Sequence, residues 1–167
     1  YGFHALAPAV KSWQPKEEVP DEGRLTAYDA EIQIPNSKIQ NPEDWPMYRG
    51  NAARGGYVKT TVPATNLKRA WQTDLGVKLT APVIAGGKLF VAAVDKHEVQ
   101  ALDASSGKKL WSFTGGGRVD SAPTIWQGRV LFGSADGYVY CLRATDGALA
   151  WRFRAAPQDL RLGSYEQ

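Results

Sequence analysis

The chain has 167 residues, of which 43% are hydrophobic and 22% charged, a globular rather than a disordered composition. Its length allows one domain with a real core but not two large ones. The net charge of +3 is small, and basic residues are scattered singly apart from Lys68-Arg69 and Lys108-Lys109, which argues against a nucleic-acid partner. No window reaches the ~18 consecutive apolar residues of a membrane span, and the most apolar stretch, 81–94, is broken by Gly86, Gly87 and Lys88. A single cysteine, Cys141, excludes an internal disulfide and any multi-cysteine metal site. His4 and His97 stand far apart with no ligand spacing around either. Seventeen Gly, ten Pro, six Trp and seven Tyr point to a turn-rich, all-β protein. The chain opens on Tyr1, which reads as a processed chain or a piece of a longer one.

Residues 1–43 carry five prolines and the acidic pairs Glu17-Glu18 and Asp21-Glu22, and read as an extended arm or linker. Within them Leu25–Tyr28 and Glu31–Ile34 alternate briefly, and each could add a strand to a sheet edge. Residues 44–66 follow as a lead-in segment in which Trp45 is expected to anchor against a sheet.

From residue 67 to 157 the chain repeats. Trp71, Trp111 and Trp151 are spaced 40 residues apart. One copy runs Ala81-Pro-Val-Ile84, Gly87-Lys-Leu-Phe-Val91, then Ala101-Leu-Asp-Ala-Ser-Ser-Gly-Lys-Lys-Leu-Trp111. The next runs Ala122-Pro-Thr-Ile125, Gly128-Arg-Val-Leu-Phe132, then Cys141-Leu-Arg-Ala-Thr-Asp-Gly-Ala-Leu-Ala-Trp151. Each copy reads as four short strands. In the second these are 121–126, 129–134, 138–143 and 148–154, with a hairpin signal at Asp136-Gly137. No segment shows a helical period. A four-stranded meander of about 40 residues is a propeller blade. The chain therefore predicts two blades of a larger propeller, with 67–73 as the outer strand of a preceding blade and 158–167 leading to a following one. Gly107 and Gly147 are expected to take positive φ, with each Trp packed between neighbouring blades.

The motif at 101–111 resembles the tryptophan-docking repeat of the pyrroloquinoline-quinone (PQQ)-like β-propeller family, and Asp44-Trp-Pro-Met-Tyr-Arg-Gly-Asn-Ala-Ala-Arg54 resembles the segment that precedes the first blade there. Trp71, Asp103, Gly107, Trp111, Gly147 and Trp151 are then the structural positions of the repeat. In the second copy Arg143 stands where Asp103 stands in the first, so the turn bond must be lost or replaced. The family's enzymes often carry adjacent cysteines and an acidic calcium set, and this chain shows neither. The resemblance implies that PQQ and calcium would need further blades. It also implies periplasmic or secreted localisation, and other polypeptide segments or a protein partner completing and using the ring.

Loops feeding the innermost strands converge on one mouth of a propeller channel. Here those loops are 74–80 and 115–121, so Lys78, Thr80, Arg118, Asp120 and Ser121 are the expected channel-mouth ligand residues. Arg118 offers paired N–H donors to a carboxylate or quinone oxygen, and Asp120 could take a proton or hold a cation. Gly115-Gly116-Gly117 lacks the ending of a phosphate loop and reads as a flexible turn. Cys141 reads as a buried small hydrophobe. His97 reads as an exposed turn residue, and Arg152 and Arg154 as a solvated rim. Two functions compete: a binding or scaffold module, and part of a quinoprotein dehydrogenase whose cofactor ligands lie elsewhere. A weaker third is a carbohydrate- or peptide-binding propeller using Trp126 and Tyr138.

Overall fold

A computed structural model describes residues 23–28, 41, 43–58, 60–63 and 65–156. Most of the expected arm, including Glu31–Ile34, His4 and Trp13, and the tail 158–167 lie outside the described residues.

The described residues form two antiparallel meanders and no α-helix. The first blade comprises β2 (Val83–Ala85), β3 (Lys88–Ala93), β4 (Glu98–Asp103) and β5 (Lys109–Thr114). The second comprises β6 (Thr124–Trp126), β7 (Arg129–Gly133), β8 (Tyr138–Arg143) and β9 (Leu149–Arg154). A short strand from the arm, β1 (Leu25–Ala27), adds antiparallel to β9 as a fifth, outermost strand. The two blades match in detail: the β4–β5 register shifts between Ala101 and Leu102, and the β8–β9 register shifts between Cys141 and Leu142.

The core follows from the two-residue period of a strand. Val83, Ala85, Phe90, Ala92, Val99 and Ala101 alternate onto one face of the first blade. Ile125, Val130, Phe132, Tyr140 and Leu142 alternate onto the facing side of the second, and Val119 joins them from the connecting loop. Neither sheet can shield such a face alone, so the blades stack. Phe132 and Tyr140 stack at 5.3 Å between centroids, and Phe113 leans on Tyr140 at 5.6 Å.

The structure trims or alters several expectations. The strand expected at 121–126 begins at Thr124, since Pro123 has no N–H to give a ladder. Segment 67–73 forms no strand and pairs with none among the described residues. His97, expected as an exposed turn residue, is half-buried and closes a 3-10 turn, Val94–Lys96, at φ 57°. Arg152 is not a solvated rim residue: its guanidinium lies 4.8 Å from the Tyr138 ring centroid, and the side chain is half-buried.

Candidate functional site

Hairpin geometry puts loops 74–80, 94–97, 115–121 and 134–137 at one end of the blades, where the expected mouth lies. Turns 86–87, 104–108, 127–128 and 144–148 lie at the other end.

At the mouth end each loop is tied to the hairpin of its own blade. Lys78 contributes its carbonyl, which accepts from Val94 N at 3.0 Å. Thr80 is consumed in the same way. Its N–H donates to Ala92 O and its Oγ1 accepts from Ala92 N, both at 3.0 Å. Arg118 uses its carbonyl to accept from Ala135 N, and its guanidinium pairs with Asp120 at 3.0 Å. Asp120 and Ser121 are exposed. The structure thus brings Arg118 to Asp120, and places Lys78 and Thr80 beside the β3–β4 hairpin. Gly115 N donates to His97 O, which extends the β4–β5 ladder of the first blade beyond Thr114.

The residue that organises this end is Asp136, which the sequence presents only as half of a hairpin signal. It is buried. Its Oδ2 accepts from Gly116 N and from the Tyr140 hydroxyl, and its Oδ1 accepts from Tyr138 N. A Cβ at Gly116 would collide with this carboxylate, and one at Gly117 would lie 2.6 Å from Asp136 N. The glycine run is therefore a fitted seat for Asp136, not a flexible turn. Burial, reinforced by the Asp136 hydrogen bond, pushes the Tyr140 phenol up to about 12.

At the opposite end the blades are joined by indoles. Trp111 donates from Nε1 to Ala144 O at 3.2 Å, and its ring lies flat against Gly147. Trp71 repeats the arrangement one blade earlier, donating to Ala104 O at 2.9 Å and covering Gly107. Gly107 and Gly147 have φ of 71° and 76°. One such hydrogen bond contributes about 1 kcal/mol net. Burying the ring, at roughly 150 Å² or more, contributes several-fold more, so the bond orients the indole and packing supplies the energy. In the first of these turns Asp103 Oδ1 accepts from the N–H and hydroxyl groups of Ser105 and Ser106. These bonds hold its carboxyl down at about 2. In the second turn Arg143 replaces Asp103 and grips Asp146, which accepts from Ala148 N. Cys141 is fully buried, and burial pushes its thiol up against the opposing pull of Arg129.

A cleft of about 290 Å³ opens at this end between the blades, with Phe90 and Ile125 as apolar walls and Asp44, Lys88 and Gln127 among its lining residues. The lead-in segment borders it. Trp45 exchanges two backbone bonds with Ile84 of β2, and Pro46 O accepts from Ile125 N of β6 at 2.7 Å. Strands β2 and β6 are where the two sheets approach most closely, so residues 45–46 occupy the axis-facing edges of both innermost strands. Nothing local in the sequence signals that bridge.

Among the described residues no group of three or more His, Cys, Asp or Glu could hold a metal ion. The buried carboxylate of Asp136 is already spent on three donors, and Asp120 is paired with Arg118. The described residues of these two blades do not fit a calcium site.

Four-stranded blades of 40 residues, joined by an indole laid on the next blade's turn glycine, define a β-propeller of the PQQ-type repeat. The family model described as outer membrane protein assembly factor BamB matches residues 54–166, and the chain belongs to that family. The chain is 29% identical over 141 residues to the dehydrogenase subunit of a quinone-type alcohol dehydrogenase from Gluconobacter oxydans, covering 74% of this chain and 18% of that protein. It is 32% identical over 111 residues to the assembly factor BamB of Yersinia pestis, covering 60% of this chain and 28% of that protein. The chain thus spans less than a third of these relatives. The crystal structure of quinohemoprotein alcohol dehydrogenase from Comamonas testosteroni shares the fold, with a TM-score of 0.56 and 21% identity over 73% of this chain and 21% of that one. No helix among the described residues is long and apolar enough to cross a membrane.

Proposed function

We propose that the chain contributes two blades to a larger PQQ-like propeller acting as an exported scaffold that binds other polypeptides. The observation that carries this reading is the lead-in segment. Trp45 and Pro46 fill the axis-facing edges of β2 and β6, where a channel ligand would otherwise meet these blades. The mouth supports the same reading, because Asp136 and Thr80 serve as ties between loops rather than as free reactive groups. A rigid rim presenting Lys78, Arg118, Asp120 and Ser121 suits contact with a protein surface. The family's description as an assembly factor agrees with such partners. Other segments would complete the ring, and the compartment would be periplasmic or otherwise exported.

The alternative is a part of a PQQ- and calcium-dependent dehydrogenase whose cofactor ligands lie on other blades. The similarity to the Gluconobacter oxydans subunit over 74% of this chain favours it. An absorbance scan of the full propeller after PQQ and calcium are added and excess is removed separates the two. A scaffold retains no quinone chromophore. A retained quinone band that bleaches with an alcohol overturns the scaffold reading.

A further inference from the structure

The two blades differ at one turn beside the cleft. The β2–β3 turn is Gly86-Gly87, with φ of 56° and 72°. The matching β6–β7 turn is Gln127-Gly128, with φ of 47° and 72°. Left-handed backbone disfavours a residue that carries a Cβ, so Gln127 holds a strain that glycine avoids in the sister blade. Its side chain returns nothing within the chain. Gln127 is half-buried, and its Oε1 is buried with no hydrogen-bond partner among the described residues. A strained backbone and an orphaned buried acceptor at one residue call for a reason outside the fold.

Gln127 lines the cleft of about 290 Å³, which is at the small end of ligand pockets. Two opposite charges line it too. Asp44 comes from the lead-in segment, and its Oδ2 accepts from Gly86 N at 3.3 Å. Lys88 opens β3, is half-buried, and pairs with no carboxylate among the described residues. Phe90 and Ile125 supply apolar surface. The carboxamide and the lead-in carboxylate are particular to this gap, since the matching turn of the first blade has glycine in place of Gln127. A joint common to all blades would not need them.

We propose that this cleft binds a free α-amino acid with an apolar side chain. The ligand carboxylate meets the Lys88 ammonium and the Gln127 amide N–H groups, the ligand ammonium meets Asp44, and the side chain lies against Phe90 and Ile125. A carboxylic acid without the ammonium would set like charge against Asp44, and an amine without the carboxylate would do the same against Lys88. The zwitterion alone uses both charges. This site does not depend on whether the propeller is a scaffold or part of a dehydrogenase.

The test is a titration of the full, nitrogen-labelled chain with L-leucine and L-phenylalanine, read by amide chemical shifts. Saturable shifts should appear at Gly86, Lys88, Gln127 and Gly128. Isocaproate and hydrocinnamate, which lack the ammonium, and isoamylamine and phenethylamine, which lack the carboxylate, should each bind at least tenfold more weakly. Lys88→Met keeps the aliphatic stem and should lower affinity at least tenfold. Gln127→Gly installs the residue of the sister turn, so it should leave the urea midpoint no lower while weakening binding at least threefold. A structural role for Gln127 would instead lower the midpoint and leave affinity unchanged. No saturable shift with either amino acid, equal affinity for the analogues lacking one charge, or unchanged affinity in both variants overturns the proposal.

Discussion

Gly147 has two reasons to be glycine, and they act together. Its φ of 76° disfavours any other residue, and an added Cβ would lie 2.6 Å from the Trp111 ring. Gly147→Ala should destabilise the chain by about 1–3 kcal/mol, read as a lower urea midpoint with unchanged slope. Tyr140 makes a second residue-scale prediction. Its folded pKa is raised to about 12 from 10.0, so its contribution is fully present below pH 10 and fades as pH rises through about 12. A phenolate titration should show one tyrosine ionising late. Asp136→Asn removes the carboxylate acceptor and should bring that step to lower pH, while Tyr140→Phe should abolish it. Asp103 has the opposite sign. Its carboxyl is held at about 2, so the turn it organises is intact above pH 4 and loosens only as pH falls toward 2. Asp103→Asn should flatten the acid limb of the stability profile. The residues that were hard to read from sequence belong to this scale. Asp136 and Gly116 are twenty positions apart, and a turn-forming Asp-Gly pair looks the same whether its carboxylate faces water or a buried amide.

Among elements, the strands were legible because each is a local pattern. Alternation at Phe90, Ala92, Val99 and Ala101 announces one buried face, and the turn glycines mark where each strand stops. What local pattern does not carry is pairing. Leu25–Tyr28 reads as edge-strand material, but nothing in those residues names β9 as the partner, and nothing in Trp45 names Ile84. Both are choices between exposed edges, decided by where the chain can reach. The indole contact is the element-scale link that matters most for stability. Trp111→Ala should cost about 3 kcal/mol and should increase amide exchange across both β5 and the 144–148 turn. Exchange confined to β5 would show that the blades are not coupled through this ring.

For the whole molecule, the second blade repeats on its far side the pattern that the first uses to hold its neighbour. Leu131, Val139, Trp151 and Phe153 occupy the register positions of Phe90, Val99, Trp111 and Phe113. Trp126, 50% exposed, continues that surface. Sedimentation of the 167-residue chain alone should give a concentration-dependent mass above 18.2 kDa. Trp151→Glu should lower it, and a constant monomer mass would show that this face is already satisfied within the chain. The repeat made the architecture readable, but the same repeat serves a scaffold and a dehydrogenase, which is why the site was read far less completely than the fold.

The indole of one blade always reaches forward onto the glycine of the next, and the two lie 36 residues apart in each copy, as Trp71 to Gly107 and Trp111 to Gly147. Any 40-residue window between residues 71 and 151, wherever it is cut, thus contains one plug and one socket of the same polarity. A tandem duplication needs no respect for blade boundaries to yield a unit that joins its neighbours correctly. Such proteins can therefore grow or shrink by unequal recombination without inventing a new joint.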